Sequence, residues 1–161
     1  MKKQIILENR IDELVRLSAF IDALGEEWSI APEVVFNLQL ALEECATNVI
    51  MYAYPPEEKQ TLLVTAELVE HDLMKQDPSK HDLMKQDPVE QGPVKHDLVL
   101  TIEDGGLPFD PTQVAEADTT LSAEERPIGG LGIFLVRQLM DTVAYQRVEG
   151  KNRLTLIKRI N

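Results

Sequence analysis

Residues 41–55 read ALEECATNVIMYAYP. They form the second half of a helix expected from about Pro32 to Tyr54, the longest element of the chain. Pro32 suits a first helical position, where its missing N–H has no partner to lose. Pro55-Pro56 ends the helix, because proline removes a donor and clashes with the preceding turn. At roughly 100° per residue, Val34, Leu38, Ala41, Leu42, Cys45 and Val49 share one apolar stripe. Glu44 and Asn48 lie four apart, so they are neighbours at the rim of that stripe, beside Ala41 and near Asn37. Glu43 and Thr47 point roughly the other way. A carboxylate and a carboxamide at the edge of a buried face suit proton acceptance and a cation. On the helix alone, the polar border of an amphipathic helix is the favoured reading.

Two further stretches carry the same kind of double reading. TIEDGGLPFDP, at 101–111, closes a strand expected over His96–Asp104. Asp104 ends the strand, and Gly105 and Gly106 let the backbone turn sharply. An aspartate there can accept a hydrogen bond from an exocyclic amine such as that of adenine, while Gly106 permits close approach of a flat ligand. DGG is also ordinary turn chemistry. GGLGIFLVRQLMDTVAYQR, at 129–147, places Gly129, Gly130 and Gly132 before a helix expected over Ile133–Met140. Free N–H groups at a helix start attract phosphate, and absent Cβ atoms let it come near. A hinge or a simple helix cap uses the same residues. No Lys-Ser/Thr pair follows the glycines, so this is not a G-x-x-x-x-G-K-[ST] phosphate loop.

Around these stretches the chain alternates strands and helices. Lys2–Glu8 and Thr61–Glu70 read as strands, and Asp141–Ile160 as a hairpin turning at Glu149–Asn152. Arg10–Leu24 has helical spacing through Ile11, Leu14, Val15, Ile21 and Leu24, with Asn9 as its cap and Gly25 as its stop. Between the two middle strands HDLMKQDP occurs at 71–78 and again at 81–88, with a partial copy at 95–98. A unit this short cannot stack a core. It reads as a duplicated loop insertion at about 71–95 in a single domain spanning 1–161. A loop that tolerates growth places function elsewhere. His71, His81 and His96 belong to the copied His-Asp pairs and match no zinc spacing.

Composition bounds the possibilities. The 161 residues carry 16 Lys+Arg against 28 Asp+Glu, a net charge of −12. Direct nucleic-acid binding needs a basic footprint, and an anionic membrane repels this charge. No apolar run is long enough for a membrane helix, and MKKQIILENR lacks the apolar core of a signal peptide, so a cytoplasmic protein is expected. One cysteine, Cys45, excludes an intrachain disulfide and reads as a core residue.

In order, a helix with Glu44 and Asn48, a strand ending in Asp104-x-Gly106, and Gly130-x-Gly132 opening a helix resemble the N box and the two glycine boxes of the histidine-kinase-like (GHKL, Bergerat) ATP-binding fold. The wording of the three stretches resembles the anti-sigma-factor serine/threonine kinases, over essentially the whole chain except the insertion. The resemblance implies a two-layer α/β sandwich, with a mixed, mostly antiparallel sheet and helices on one face. It implies that Asn48 ligates the Mg²⁺ of Mg-ATP, that Glu44 is the catalytic base and that Asp104 reads adenine. It also implies that Gly106 lies beside the base and that Gly130 and Gly132 form the phosphate loop. Residues 111–128 would be the ATP lid, with Arg126 touching the γ-phosphate.

The implied activity is phosphoryl transfer from ATP to a serine or threonine of an anti-sigma-factor antagonist, together with sequestration of a sigma factor. A homodimer is implied as well. The alternative is a non-catalytic module in which ATP orders the lid and switches a protein-binding surface. Tyr52 stands where many relatives have a histidine, and no histidine lies in any of the three motifs, so histidine autophosphorylation is not implied.

Overall fold

Strand-forming residues alternate along Lys2–Glu8 (β1), Thr61–Glu70 (β2), His96–Asp104 (β3), Thr142–Val148 (β4) and Lys151–Ile160 (β5). In the computed structural model these pair into one sheet of order β1-β2-β3-β5-β4. The structure describes residues 1–71, 94–113 and 130–160. Nearly all of the expected insertion, Arg126 and most of the expected lid lie outside the described residues. Every pairing among the described strands is antiparallel, where the sequence reading allowed a mixed sheet.

The alternation fixes which way each strand faces. Leu7, Leu62, Val64, Ala66, Leu98, Leu100, Ile102 and Leu156 point to one side and are buried. The helices Leu14–Glu27 (α1), Pro32–Tyr52 (α2) and Gly130–Leu139 (α3) supply the second layer. Leu17, Ile21, Leu24, Leu38, Leu42, Cys45 and Val136 meet the sheet residues in one core. Each such aliphatic side chain contributes about 1.5–3 kcal/mol on burial, so this shared face holds the two layers together. The molecule is therefore an α/β sandwich.

Several local expectations are corrected. Asn9 does not cap a helix. Its side chain donates to Glu58 O at 2.7 Å and accepts from Gln60 N at 3.0 Å, tying β1 to the segment before β2. A short 3-10 helix, Ile11–Glu13, precedes α1, and Ile11 and Val15 are exposed rather than core. Gly25 does not stop α1, which continues to Glu27. A Cβ on Gly25 would stand 2.7 Å from Val35 Cγ2, so the glycine serves close packing of α1 on α2. α2 ends at Tyr52, two residues before the expected end, and α3 begins at Gly130, inside the glycine run. The final hairpin turns at Glu149 and Gly150 alone, both with positive φ (50° and 77°). Lys151 and Asn152 consequently belong to β5.

Candidate functional site

The C-terminal half of α2 and the C-terminal end of β3 converge on one cavity of about 190 Å³. Asn48 from α2 and Asp104 from β3 both line it. Cys45, Val49, Ile102 and Ile133 give it apolar walls. Tyr145 and Asn152, from the last hairpin, close its far side. The two polar residues separated by more than fifty positions in sequence thus share a single pocket.

Asp104 is 5% exposed and firmly held. Its Oδ1 accepts from Gly106 N at 2.9 Å and from Asn152 Nδ2 at 3.0 Å. Its Oδ2 has no hydrogen-bond partner among the described residues. One oxygen thus anchors the carboxylate, and the other is left unbonded among the described residues. Gly106 is held by steric need. A Cβ there would fall 2.6 Å from Ala53 Cβ and 2.9 Å from Ala53 C, so only glycine lets the loop lie on the end of α2.

Asn48 presents the complementary feature. Its amide nitrogen is buried and has no partner among the described residues. Leaving such a group unpaired costs roughly 1–3 kcal/mol, so Asn48 carries an unmet hydrogen-bonding group at the cavity among the described residues. The two ends of a carboxamide occupy interchangeable places, so the same side chain can offer an oxygen to a cation. Glu44 is one turn earlier on α2 and does not line the cavity. It lies instead against Gly132 in the first turn of α3, where a Cβ on Gly132 would meet Glu44 Cγ at 2.7 Å. Gly130 is the first residue of α3. Arg126 lies outside the described residues.

Four residues of this site had no role in the sequence reading. Asn152, 6% exposed, donates to Asp104 and to Leu107 O (2.8 Å). Its oxygen accepts from Tyr145 Oη (2.6 Å), Arg147 Nη1 (2.9 Å) and Phe109 N (3.4 Å). Arg147 also donates to Gly106 O at 2.9 Å. Tyr54, just after α2, accepts from Gly105 N at 2.8 Å. Burial pushes the Tyr54 phenol above its ordinary range, so the hydroxyl keeps its proton. The signal for Asn152 exists only in the register, which sets Asp104 opposite Asn152. Burial likewise pushes the Cys45 thiol up to about 12, making it an inert wall.

The molecule is thus an α/β sandwich with a small polar-ended cavity between its helical layer and the end of a central strand. The chain belongs to the histidine kinase-like ATPase domain family, whose model matches residues 7–158. It is similar to the serine/threonine-protein kinase BtrW of Bordetella bronchiseptica, 27% identical over 134 residues, covering 83% of this chain and 75% of that protein. It is also similar to the serine-protein kinase RsbW of Listeria monocytogenes, 26% identical over 152 residues, covering 92% of this chain and 79% of that protein. Among the described residues, no helix is long and apolar enough to cross a membrane.

Proposed function

We propose that the chain is an ATP-dependent protein serine/threonine kinase of the anti-sigma-factor type. It binds Mg-ATP, phosphorylates a serine or threonine of an anti-sigma-factor antagonist, and sequesters a sigma factor. The observation that carries this reading is the meeting of Asn48 and Asp104 in one cavity, with Glu44 one turn away beside Gly132. The similarity to two proteins that are each a serine or serine/threonine kinase supports it. The reading takes residues 1–161 as one ATP-binding unit carrying a loop insertion at about 71–95. It also makes the protein a cytoplasmic homodimer.

Asp104 Oδ2 accepts the exocyclic amine of adenine, and Gly106 lets the ring lie close. A cavity of about 190 Å³ is small beside the roughly 300–1,000 Å³ of sites that enclose a whole drug-sized ligand. The base fills it, and the phosphates extend beyond it. The N–H groups at Gly130 and Gly132 face them with the positive end of α3. Arg126 is the proposed γ-phosphate contact. The Asn48 carboxamide, whose nitrogen position is buried and unpartnered among the described residues, would offer its oxygen to magnesium after a flip of the amide. When bound, Mg²⁺ neutralises charge on the transferring phosphoryl group. Local N–H groups have to do the remaining work, since a net charge of −12 repels the nucleotide. Glu44 accepts the proton of the partner's hydroxyl as its oxygen bonds the γ-phosphorus and the bond to ADP breaks.

The test combines purified chain, Mg-ATP and the antagonist, and looks for phosphoserine or phosphothreonine. Glu44→Gln is expected to bind ATP normally and to lose transfer by about 10²–10⁴-fold. ATP-dependent partner binding without transfer in the unsubstituted chain would replace this reading with a non-catalytic regulatory module.

A further inference from the structure

The end of α2 does more than stop a helix. Three consecutive N–H groups of the loop after β3 are each spent on a different anchor. Gly105 N donates to Tyr54 Oη at 2.8 Å, Gly106 N to Asp104 Oδ1 at 2.9 Å, and Leu107 N to Ala53 O at 2.9 Å. Two of the three anchors sit on the residues directly following α2, the helix that carries Asn48. Tyr54 is 9% exposed, and its hydroxyl also reaches Thr61 O at 3.5 Å, at the start of β2.

Two adjacent glycines would otherwise leave this loop with more backbone freedom than any other pair of residues. Gly106 has no side chain to fix it, and Asp104 depends on Gly106 N–H for one of its two anchors. Among the described residues, the phenol contributes the one side-chain bond to Gly105. It is a rigid aromatic lever on a buried residue.

We propose that Tyr54 is a positioning residue for base recognition, its hydroxyl fixing the Asp104–Gly106 turn so that Asp104 Oδ2 faces the cavity. The inference rests on the nucleotide reading above and adds to it that the cation side and the base side form one rigid unit. Removing the hydroxyl frees Gly105, loosens Gly106 and lets the Asp104 carboxylate rotate away from the amine it reads.

The experiment compares ATP with inosine triphosphate, which lacks the exocyclic amine, by calorimetry on the full chain and on Tyr54→Phe. The unsubstituted chain is expected to prefer ATP. Tyr54→Phe is expected to lose about tenfold in ATP affinity, the equivalent of one strained hydrogen bond, and to leave inosine triphosphate within about twofold. The preference then collapses. A merely structural role would weaken both nucleotides alike or lower only the unfolding temperature, and either result overturns the proposal. Should Tyr54→Phe not fold, amide exchange on the unsubstituted chain decides. Gly105 N–H is expected to be protected like Gly106 N–H, and free exchange at Gly105 overturns the proposal. Absence of any ATP preference in the unsubstituted chain overturns the nucleotide reading itself, whereas full preference retained by Tyr54→Phe overturns only the role of Tyr54.

Discussion

The side chain of Glu44 occupies the space into which a Cβ on Gly132 would project, with Glu44 Cγ 2.7 Å from that position. Gly132, in the first turn of α3, thus leaves room for the carboxylate on α2, independently of any phosphate. Gly132→Ala is expected to leave stability nearly unchanged. The helix gains about 0.5–1 kcal/mol from alanine, while the clash falls on the flexible end of Glu44, which can move. Under the kinase reading, transfer should fall about 10²–10⁴-fold, as for Glu44→Gln. The Gly132→Ala/Glu44→Gln double variant should be no slower than Glu44→Gln alone, because both act through one carboxylate. A multiplicative loss in single-turnover assays would show that Gly132 acts by another route.

Asn152 and Asp104 face each other across β5 and β3, joined by a 3.0 Å hydrogen bond. Asn152→Asp replaces the donor with a second carboxyl. Like charges at this distance raise one of the two pKa values. At low pH the protonated member donates to the other and restores the anchor. At high pH both are charged and Asp104 is pushed from its place. Nucleotide affinity of Asn152→Asp should therefore be about tenfold higher at about pH 5.5 than at about pH 8, with the unsubstituted chain much flatter. Parallel profiles from calorimetry at the two pH values would refute the coupling.

Much of this was legible in the sequence because it depends on local pattern. β2, TLLVTAELVE, is rich in β-branched and aliphatic residues and buries every second one from Leu62 to Ala66. α2 is bracketed by prolines that chemistry places at helix boundaries. Elements that depend on a distant partner are not legible from local pattern. Gly25 reads as a helix stop until Val35 is seen packed on it, and Asn9 reads as a cap until Glu58 and Gln60 claim its side chain. The same division runs through the candidate site. Glu44, Asn48, Asp104 and Gly106 stand out by type and spacing. Asn152, Tyr54 and Arg147 become visible only when the hairpin register and the end of α2 bring them to Asp104 and its loop.

Cys45 is 2% exposed, and its thiol is pushed up to about 12 from 9.0, chiefly by desolvation with Glu44 adding to it. That rise lowers the thiolate population about a thousandfold. Alkylation by iodoacetamide at about pH 8 should be slower in the native chain than in urea by at least that factor. Mass spectrometry should show the label appearing only as the chain unfolds. Rapid labelling of native protein would mean that the cavity wall opens.

Glu13 ties the end of β1 to the start of α1. Its Oε2 accepts from Glu8 N at 3.1 Å and from Arg16 Nη1 at 2.7 Å. The backbone bond from Glu8 holds the carboxyl below its ordinary 4.5, with Arg16 and Arg10 helping and burial opposing. A carboxyl with a depressed folded pKa contributes stability above its unfolded value and loses it as pH falls through the folded one. Glu13→Gln keeps an oxygen for Glu8 N–H and removes only the charge. It should lower the urea midpoint at about pH 7, and the gap should narrow as the pH is brought down toward about 2 and the native carboxyl takes up its proton. A midpoint gap of equal size at both pH values would assign the effect to shape instead of charge.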